Sequence, residues 1–333
     1  MRYIAGTILL LLVAFGSYAQ TLEWHAGFDG FLDNREYFNT VQHHQTMFGS
    51  RFSANIGGSY KFQHRFRGGF NYLYEFGGQT DAYQPNIVMY YQYDNEPFTF
   101  YMGAFPRKEL LDYPLALLTD TLNYYRPNIE GLYLRLKGNW GHQNVFIDWT
   151  SRQTDFDFEQ FMFGFSGRVN WNWLFFYHHF LMGHLAGPGI PIPNHHIRDN
   201  GGFDLNIGAD LSEMLIFDTL WISLGTLISL DRTRNVDDGW QTPAGFLAQS
   251  AIYWYGFGLQ GTLYIGEGHS LIYGDSFYQA KEYGRLDVFW IPFRKQNIQA
   301  KLVSSFHFIE SKLDFSQQIL LSISLDQSRV LKQ

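Results

Sequence analysis

Apolar and polar residues alternate along most of this chain with a period of two, which is the pattern of β-strands whose two faces meet different surroundings. The pattern is clearest in residues 51–61, 65–76, 132–137, 160–171, 203–212 and 318–326. In the segment 65–76, every even position is aromatic or glycine, whereas the odd positions include two arginines, an asparagine and a glutamate. Read from Leu22 to the end, the alternation predicts about sixteen strands.

The connections between these strands alternate in length. Short turns are expected at 62–64, 94–97, 139–141 and 293–296, and long loops at 34–46, 106–127, 185–200 and 231–243. Bacterial outer-membrane barrels combine two-faced strands with short periplasmic turns and longer external loops. A soluble β-sandwich could also alternate, but it would not require so many strands or such regular connections. The sequence therefore predicts an all-β fold, a transmembrane antiparallel barrel of about 16 strands, with 14 possible.

The first nineteen residues have the features of a secretory signal peptide. Arg2 supplies a positive charge, residues 8–15 are apolar but too few to span a bilayer, and Ser17-Tyr18-Ala19 is a small-x-small cleavage site. The predicted organisation is therefore a signal peptide at 1–19 and a barrel at 20–333, located in the bacterial outer membrane after cleavage near Ala19.

Composition is consistent with a barrel in lipid. Aromatic residues make up 19% of the chain and charged residues only 17%, as expected where one strand face meets lipid. The net charge of −7 argues against nucleic acid as a partner, and the absence of cysteine excludes a disulfide framework. Outer-membrane lipid is the expected partner, with assembly of several copies of the chain possible.

With both termini in the periplasm, 106–127 becomes the third and longest external loop. In this plan the chain resembles the general porins, sixteen-stranded barrels whose long third loop folds into the lumen. Leucines at 110, 111, 115, 117 and 118 make this segment too apolar for an exposed loop. The resemblance implies a constriction whose acids, Glu109, Asp112 and Asp120, face basic residues such as Arg65, Arg67 and Arg135. The alternative is a short helix that caps the outer rim or packs against a neighbouring subunit.

Residues 24–37 are similar to the mature start of outer-membrane barrels of the Bacteroidota. In this sequence they predict a first strand that runs into a turn at Asp33-Asn34. The other end differs from many such barrels, because Leu325 is followed by a polar tail rather than by a terminal aromatic residue.

Strand alternation also predicts which charged residues face the lumen. Ten bases oppose six acids, so the lumen should be mildly basic and should favour anions. The bases are Arg51, Lys61, Arg65, Arg67, Arg135, Lys137, Arg168, Lys281, Arg285 and Lys301, and the acids are Glu75, Asp148, Asp204, Asp210, Asp231 and Asp287. The same charges could instead pair across the barrel and close it, whereas sixteen strands leave room for an aqueous bore.

Metal binding and catalysis receive little support from the sequence. The adjacent pairs His43-His44 and His195-His196 lie in long loops and are poor chelates, so neither a metal nor a cofactor is expected. Ser305 and His307 share a strand face, but that face points to the lumen rather than to lipid. No known catalytic motif accompanies them.

The sequence thus favours a porin-like channel for passive diffusion of small polar or anionic solutes, and not an enzyme. A plugged barrel with a structural or secretion role remains an alternative, as does an outer-membrane lipid hydrolase.

Overall fold

The computed structural model describes residues 21–78 and 84–330. The predicted signal peptide lies outside these residues. Sixteen strands account for most of the described chain. In chain order they are β1 Thr21–Glu36, β2 Gln45–Tyr60, β3 His64–Glu75, β4 Asn86–Asn95, β5 Phe98–Pro106, β6 Asn128–Gly138, β7 Gly141–Ser151, β8 Gln160–Trp171, β9 Leu174–Leu185, β10 Arg198–Asp210, β11 Thr219–Thr233, β12 Ala244–Trp254, β13 Phe257–Gly266, β14 Glu282–Lys295, β15 Ile298–Ile309 and β16 Lys312–Val330.

The strands form one closed antiparallel barrel, in which each strand pairs with its neighbours in sequence. Closure is made by β1 and β16, which pair from Thr21 opposite Val330 to Glu36 opposite Phe315. Closure satisfies the backbone hydrogen bonds that an open sheet edge would expose to lipid. The predicted all-β barrel of sixteen strands is confirmed.

In the described part of the chain, helical structure is limited to connections. One short α-helix, α1, spans Leu122–Tyr125, and two 3₁₀ turns span Ser212–Met214 and Ser276–Gln279. Within the described residues, no helix is both long and apolar enough to cross a membrane.

The outer face of the barrel is apolar, as the alternation predicts. Large apolar side chains are exposed there on every side, among them Phe52, Phe66, Leu134, Phe163, Ile222 and Trp290. Aromatic residues concentrate near the ends of the strands, where Trp171, Trp173 and Tyr255 are exposed. Such aromatic girdles mark the two interfaces of a membrane.

One end of the barrel carries the long connections and the other carries short turns, and we call these the long-loop end and the short-turn end. The rule has one exception at each end. Residues 310–311 form a two-residue turn at the long-loop end, and 211–218 form a longer connection at the short-turn end. Glu310 and Ser311 both have positive φ angles, which a tight hairpin turn with the twist of the strands requires.

Two details differ from the sequence-based expectation. The chain does not turn at Asp33-Asn34, because β1 continues to Glu36 and Asp33 is held inside the barrel by a salt bridge with Arg35 at 2.8 Å. The polar tail after Leu325 also belongs to the sheet, since β16 continues to Val330 and pairs with the start of β1.

Two connections from the long-loop end enter the lumen, residues 107–127 and 267–281, and together we call them the plug. They are joined by backbone hydrogen bonds from Thr119 N to Tyr273 O at 2.7 Å and from Asp275 N to Leu115 O at 2.8 Å. Leu117 and Phe277 are each only 1% exposed. The long third loop therefore lies inside the barrel, packed against a second inserted segment.

The plug and the inner wall form an apolar layer across the lumen. Every strand except β10 contributes an apolar side chain, and on β10 a Cβ at Gly202 would lie 3.3 Å from Leu117 Cδ2. The wall residues are Phe31, Met47, Leu73, Tyr90, Phe105, Tyr133, Phe146, Met162, Leu181, Leu227, Leu247, Tyr264, Tyr283, Ile309 and Leu320. Packed side chains therefore occupy the lumen at this level, where the sequence had favoured an aqueous bore.

Candidate functional site

The charged residues predicted to line a pore lie mostly in ion pairs along the inner wall. Arg67 donates to Glu23 at 2.7 Å, and Arg65 lies 3.5 Å from the same carboxylate. Arg168 binds Asp210 at 3.2 Å near the short-turn end. Lys137 binds Glu96 at 2.8 Å at that end. The basic character expected of the lumen is thus largely neutralised by local partners.

Other members of that set hold the plug or the wall in place. Arg51 donates to Asn71 and to the carbonyl of Tyr124 in α1. Glu75 accepts from the hydroxyl of Tyr125 at 2.7 Å.

Two further predicted residues are bound within the wall. Asp204 accepts from His179, and the nitrogen and oxygen are 3.0 Å apart. Arg285 forms a salt bridge of 2.8 Å with Asp287. Among the predicted arginines, only Arg51 and Arg135 have no carboxylate within 4.0 Å in the part of the chain that the structure describes.

The three acids of the third loop do not face the predicted basic residues. Asp120 accepts from Arg35 on β1 at 2.8 Å. Burial would raise the pKa of the Asp120 carboxyl, but the charge and hydrogen bond of Arg35 lower it below its usual value. Asp112 lies 3.9 Å from His179, and Glu109 is exposed. Arg65 and Arg67 are already bound to Glu23, so the expected field between opposed rims is not formed as predicted.

A buried ion pair anchors the start of the plug to the wall. Arg107 and Asp148 are 2% and 0% exposed, and their side chains form a salt bridge. Arg107 also donates to the carbonyls of Arg126 and Asn128 at 3.1 and 3.2 Å. Asp148 Oδ1 accepts from the backbone of Glu130 at 2.9 Å. Both charges therefore have salt-bridge and hydrogen-bond partners in a region that water does not reach.

Ser305 and His307 do not form a reactive pair. Both are buried beneath the plug, and Ser305 accepts from Arg285 at 3.2 Å. His307 contacts the hydroxyl of Tyr283 at 2.8 Å, and its ring stacks on Phe277 with centroids 4.2 Å apart. No substrate could reach this histidine without removal of the plug.

A different histidine lies on the lipid-facing surface, in a row of side chains at the long-loop end. The strand register places Trp149 opposite Phe161, Phe161 opposite His184, His184 opposite Asp199, and Asp199 opposite Arg232. These five residues cross β7 to β11, and we call them the outward row. Their faces follow from the register, because the adjacent residues Gly183 and Asn200 meet the plug.

The centre of the outward row is a histidine and carboxylate dyad. His184 Nδ1 lies 2.7 Å from Asp199 Oδ1, so Nε2 is the ring nitrogen that Asp199 does not contact. Asp199 Oδ2 accepts from Arg234 at 2.7 Å. The His184 ring packs on Phe161 with centroids 4.9 Å apart, and Phe161 stacks on Trp149 at 4.8 Å. The outward row and the adjacent Arg234 thus combine a general base, two arginines and an aromatic surface.

Sequence reasoning missed this row because it searched for charged residues only on the lumen-facing positions. His184, Asp199 and Arg232 each lie two positions after an apolar residue, namely Met182, Ile197 and Leu230. Ionisable residues on a lipid-facing surface are costly, and they mark function by default. That signal was present in the alternation, but the pairing across three strands required the register.

Within residues 21–78 and 84–330, no group of three or more metal-binding side chains forms a cluster. His44 stacks on Phe38 with centroids 5.5 Å apart, and His195 packs on Phe158 at 4.9 Å. Both contacts are aromatic rather than ligating.

Solved structures with the same architecture include an outer membrane protein and a porin. OpdK, an outer membrane protein of Pseudomonas aeruginosa, matches with a TM-score of 0.53 and 7% identity, over 92% of this chain and 99% of that one. OccK9 (OpdG) of the same organism matches with a TM-score of 0.54 and 8% identity, over 93% and 100%. A mutant of the Rh. blastica porin matches with a TM-score of 0.50 and 9% identity, over 91% and 100%. At such identities these similarities concern the fold alone.

Sequence comparison gives the family. No curated protein matches the chain. A profile described as lipid A 3′-O-deacylase-type matches residues 16–330, which is nearly the entire chain. The prediction that the protein is not an enzyme is contradicted by this match, because the family is named for an enzyme. The chain therefore belongs to the lipid A 3′-O-deacylase-type family.

Proposed function

We propose that the protein is an outer-membrane ester hydrolase that removes an acyl chain from lipid A, and that the outward row is its active site. The observation that carries the proposal is the contact of 2.7 Å between His184 and Asp199 on the lipid-facing surface. The family name supplies the substrate class. The row supplies the chemistry at the surface where a lipid substrate would arrive.

The composition of the row suits a phosphorylated, acylated substrate. Trp149 and Phe161 offer an aromatic surface for acyl chains next to the dyad. Arg232 and Arg234 offer planar guanidinium groups, which bind phosphate through bidentate hydrogen bonds. Arg234 is half exposed, so it can reach a headgroup while it holds Asp199.

The proposed reaction is hydrolysis of an ester by water. His184 Nε2 takes a proton from a water molecule as that water attacks the ester carbonyl. Asp199 accepts from Nδ1–H, fixes the tautomer and stabilises the charged imidazole. An arginine of the row stabilises the developing oxyanion. Collapse breaks the bond between the acyl carbon and the sugar oxygen, and the imidazolium returns its proton to that oxygen.

The test compares His184→Gln with His178→Gln in cells, with lipid A analysed by mass spectrometry. His178 lies on the same strand, and its ring packs on the outward-facing Phe165 and Phe176, so it is a matched control. We expect lipid A to retain its acyl chain in cells that carry His184→Gln or Asp199→Asn. The rate of deacylation should fall at least about a hundredfold, because general base catalysis contributes that much. His178→Gln should remain active. Equal activity of all three variants would contradict the assignment of the row.

Localisation is proposed together with this site. We infer that a signal peptide is cleaved near Ala19 and that the long-loop end faces outward, which would place the row among outer-leaflet headgroups. Surface protease on intact cells should then cut in the long loops and leave the short turns near His64 and Asn95 intact.

A second candidate is passage of small anionic solutes through the lumen. It is favoured by the cavity of about 430 Å³ on the short-turn side of the plug, which three basic residues line: Arg168, Arg285 and Lys301. The plug would have to move for a solute to cross. Step-like conductance of the refolded protein in planar bilayers would support this candidate, and a silent bilayer would count against it.

A further inference from the structure

We infer that the cavity beneath the plug is a binding site for a short acidic saccharide that enters from the short-turn end. This inference does not depend on ester hydrolysis at the outward row, because the two sites lie on opposite faces of the barrel wall. It also does not require a solute to cross the plug.

The cavity is closed at one end by the plug and walled by five or more strands. Its volume of about 430 Å³ falls within the range of small-molecule sites. Residues 112–115 and Tyr278 form its ceiling. Arg168, Trp221 and Lys301 lie near the short-turn ends of β8, β11 and β15, so the open side faces that end.

Aromatic side chains form two platforms on different parts of the wall. On one side Trp221 packs edge-on against Phe175 with ring centroids 6.4 Å apart, and Trp221 is the ring that a ligand can contact, because Phe175 is 3% exposed beneath the guanidinium of Arg168. On the other side Phe289 stacks on Tyr253 with centroids 6.0 Å apart and planes 11° apart. Flat aromatic faces suit the C–H faces of sugar rings, because both surfaces are apolar.

Polar groups between the platforms suit hydroxyl groups. Gln249, Gln260 and Thr262 line the cavity with two amides and a hydroxyl. Gln249 already accepts from the hydroxyl of Tyr177, which fixes its orientation. A ligand with many hydroxyl groups can exchange hydrogen bonds with such a wall, whereas an acyl chain would leave these groups unsatisfied.

The charges of the cavity select for an acid. Arg285 is bound to Asp287 and Arg168 to Asp210. Lys301 Nζ lies 4.7 Å above the ring of Phe289, and no carboxylate of the described residues is within 4.0 Å of it. Asp112 in the ceiling is exposed, and its nearest basic contact is His179 at 3.9 Å. Lys301 is therefore the lining cation that a ligand carboxylate can pair with. It lies on β15 over the ring of Phe289, whereas Asp112 is near His179 on β9.

The inference is tested by calorimetric titration of the refolded, full-length protein in detergent. The probe is digalacturonic acid, with digalactose as its uncharged match. Lys301→Gln removes the proposed anchor, and Lys137→Gln is the control because Lys137 is a lumen-facing lysine outside the cavity, bound to Glu96. Trp221→Leu removes one platform, and Trp171→Leu is its control on the outer face.

We expect digalacturonic acid to bind at least tenfold more tightly than digalactose, and Lys301→Gln to remove that preference. Trp221→Leu should weaken both sugars, and the two controls should bind as the unmodified chain does. Equal binding of both sugars, or a preference that survives Lys301→Gln, would overturn the acidic specificity. Absence of binding to the correctly folded barrel, shown by its circular dichroism, would overturn the site itself.

Discussion

Leu134 and Arg135 are neighbours in β6 but face different surroundings. Leu134 is 43% exposed on the lipid-facing surface, whereas Arg135 points into the lumen beside the plug. An arginine on the lipid face costs about 2–4 kcal/mol near the middle of the bilayer. We therefore expect Leu134→Arg to lower the free energy of unfolding by about 2–4 kcal/mol, measured by urea titration in lipid vesicles. Arg135→Leu is the matched control, and an equal loss there would contradict the assignment of faces.

The pair of Arg107 and Asp148 shows how a buried charge constrains the residues around it. Removal of one partner leaves the other charge uncompensated in a place that water does not reach, which costs about 3–5 kcal/mol. We expect Arg107→Met to destabilise the protein by about this amount in urea titration. The double variant Arg107→Met with Asp148→Asn should recover part of the loss, because it no longer buries a lone charge. A double variant less stable than the single one would show that the attraction between the two charges, rather than the desolvation of a lone charge, dominates the stability of this region.

At the scale of elements, the plug and the barrel have separate sources of stability. The strands are held by a closed ring of backbone pairs, to which the loops contribute little. The plug fills the lumen with apolar side chains from residues 116–118 and 277–278. Deletion of 110–118 should therefore open an aqueous path without unfolding the barrel.

The measurement is single-channel conductance in planar bilayers, with folding checked by circular dichroism. The deletion should raise conductance above that of the intact chain. A deletion of equal length at 188–196, a loop outside the plug that is exposed at 189–195, is the control and should leave conductance unchanged. If the barrel with 110–118 deleted stays folded and its conductance does not rise, the second inserted segment is sufficient to close the lumen.

At the scale of the whole molecule, two buried groups in the plug oppose each other in their response to pH. Burial raises the pKa of the Asp275 carboxyl to about 6, so stability falls as the pH rises from about 4 towards 6. Burial lowers the pKa of His269 to about 4, so stability falls as the pH drops from about 6.5 towards 4. His269 is 1% exposed and Asp275 is 9% exposed, so solvent screens neither strongly.

Each shift corresponds to about 3 kcal/mol, and the two contributions cancel over the same range of pH. We expect the free energy of unfolding of the intact chain to vary little between pH 4 and 6. Asp275→Asn should lose stability on acidification through this range, and His269→Gln should lose it on alkalinisation. Asp238→Asn, a change at an exposed loop position, is the control. If the free energy of unfolding changed with pH in the same direction in Asp275→Asn and His269→Gln, the proposed opposite effects of the two groups would be contradicted.

The barrel and its two faces were readable from the sequence because both depend on local geometry. Successive side chains of a strand point to opposite sides, so the alternation around Phe66 and Phe163 identifies the lipid-facing surface without any tertiary contact. The apolar character of 110–118 also indicated burial before the structure was known. These properties are encoded within a few residues of one another.

The state of the lumen and the candidate active site were decided only by tertiary structure. The partner of residues 107–127 is a segment about 150 residues later in the chain, and nothing local predicts that Thr119 bonds Tyr273. The contact between His184 and Asp199 likewise depends on the register of β9 against β10, since a shift of one residue would place one of them in the lumen. Alternation determines which face a residue occupies, whereas pairing between strands and between loops determines which residues it meets there.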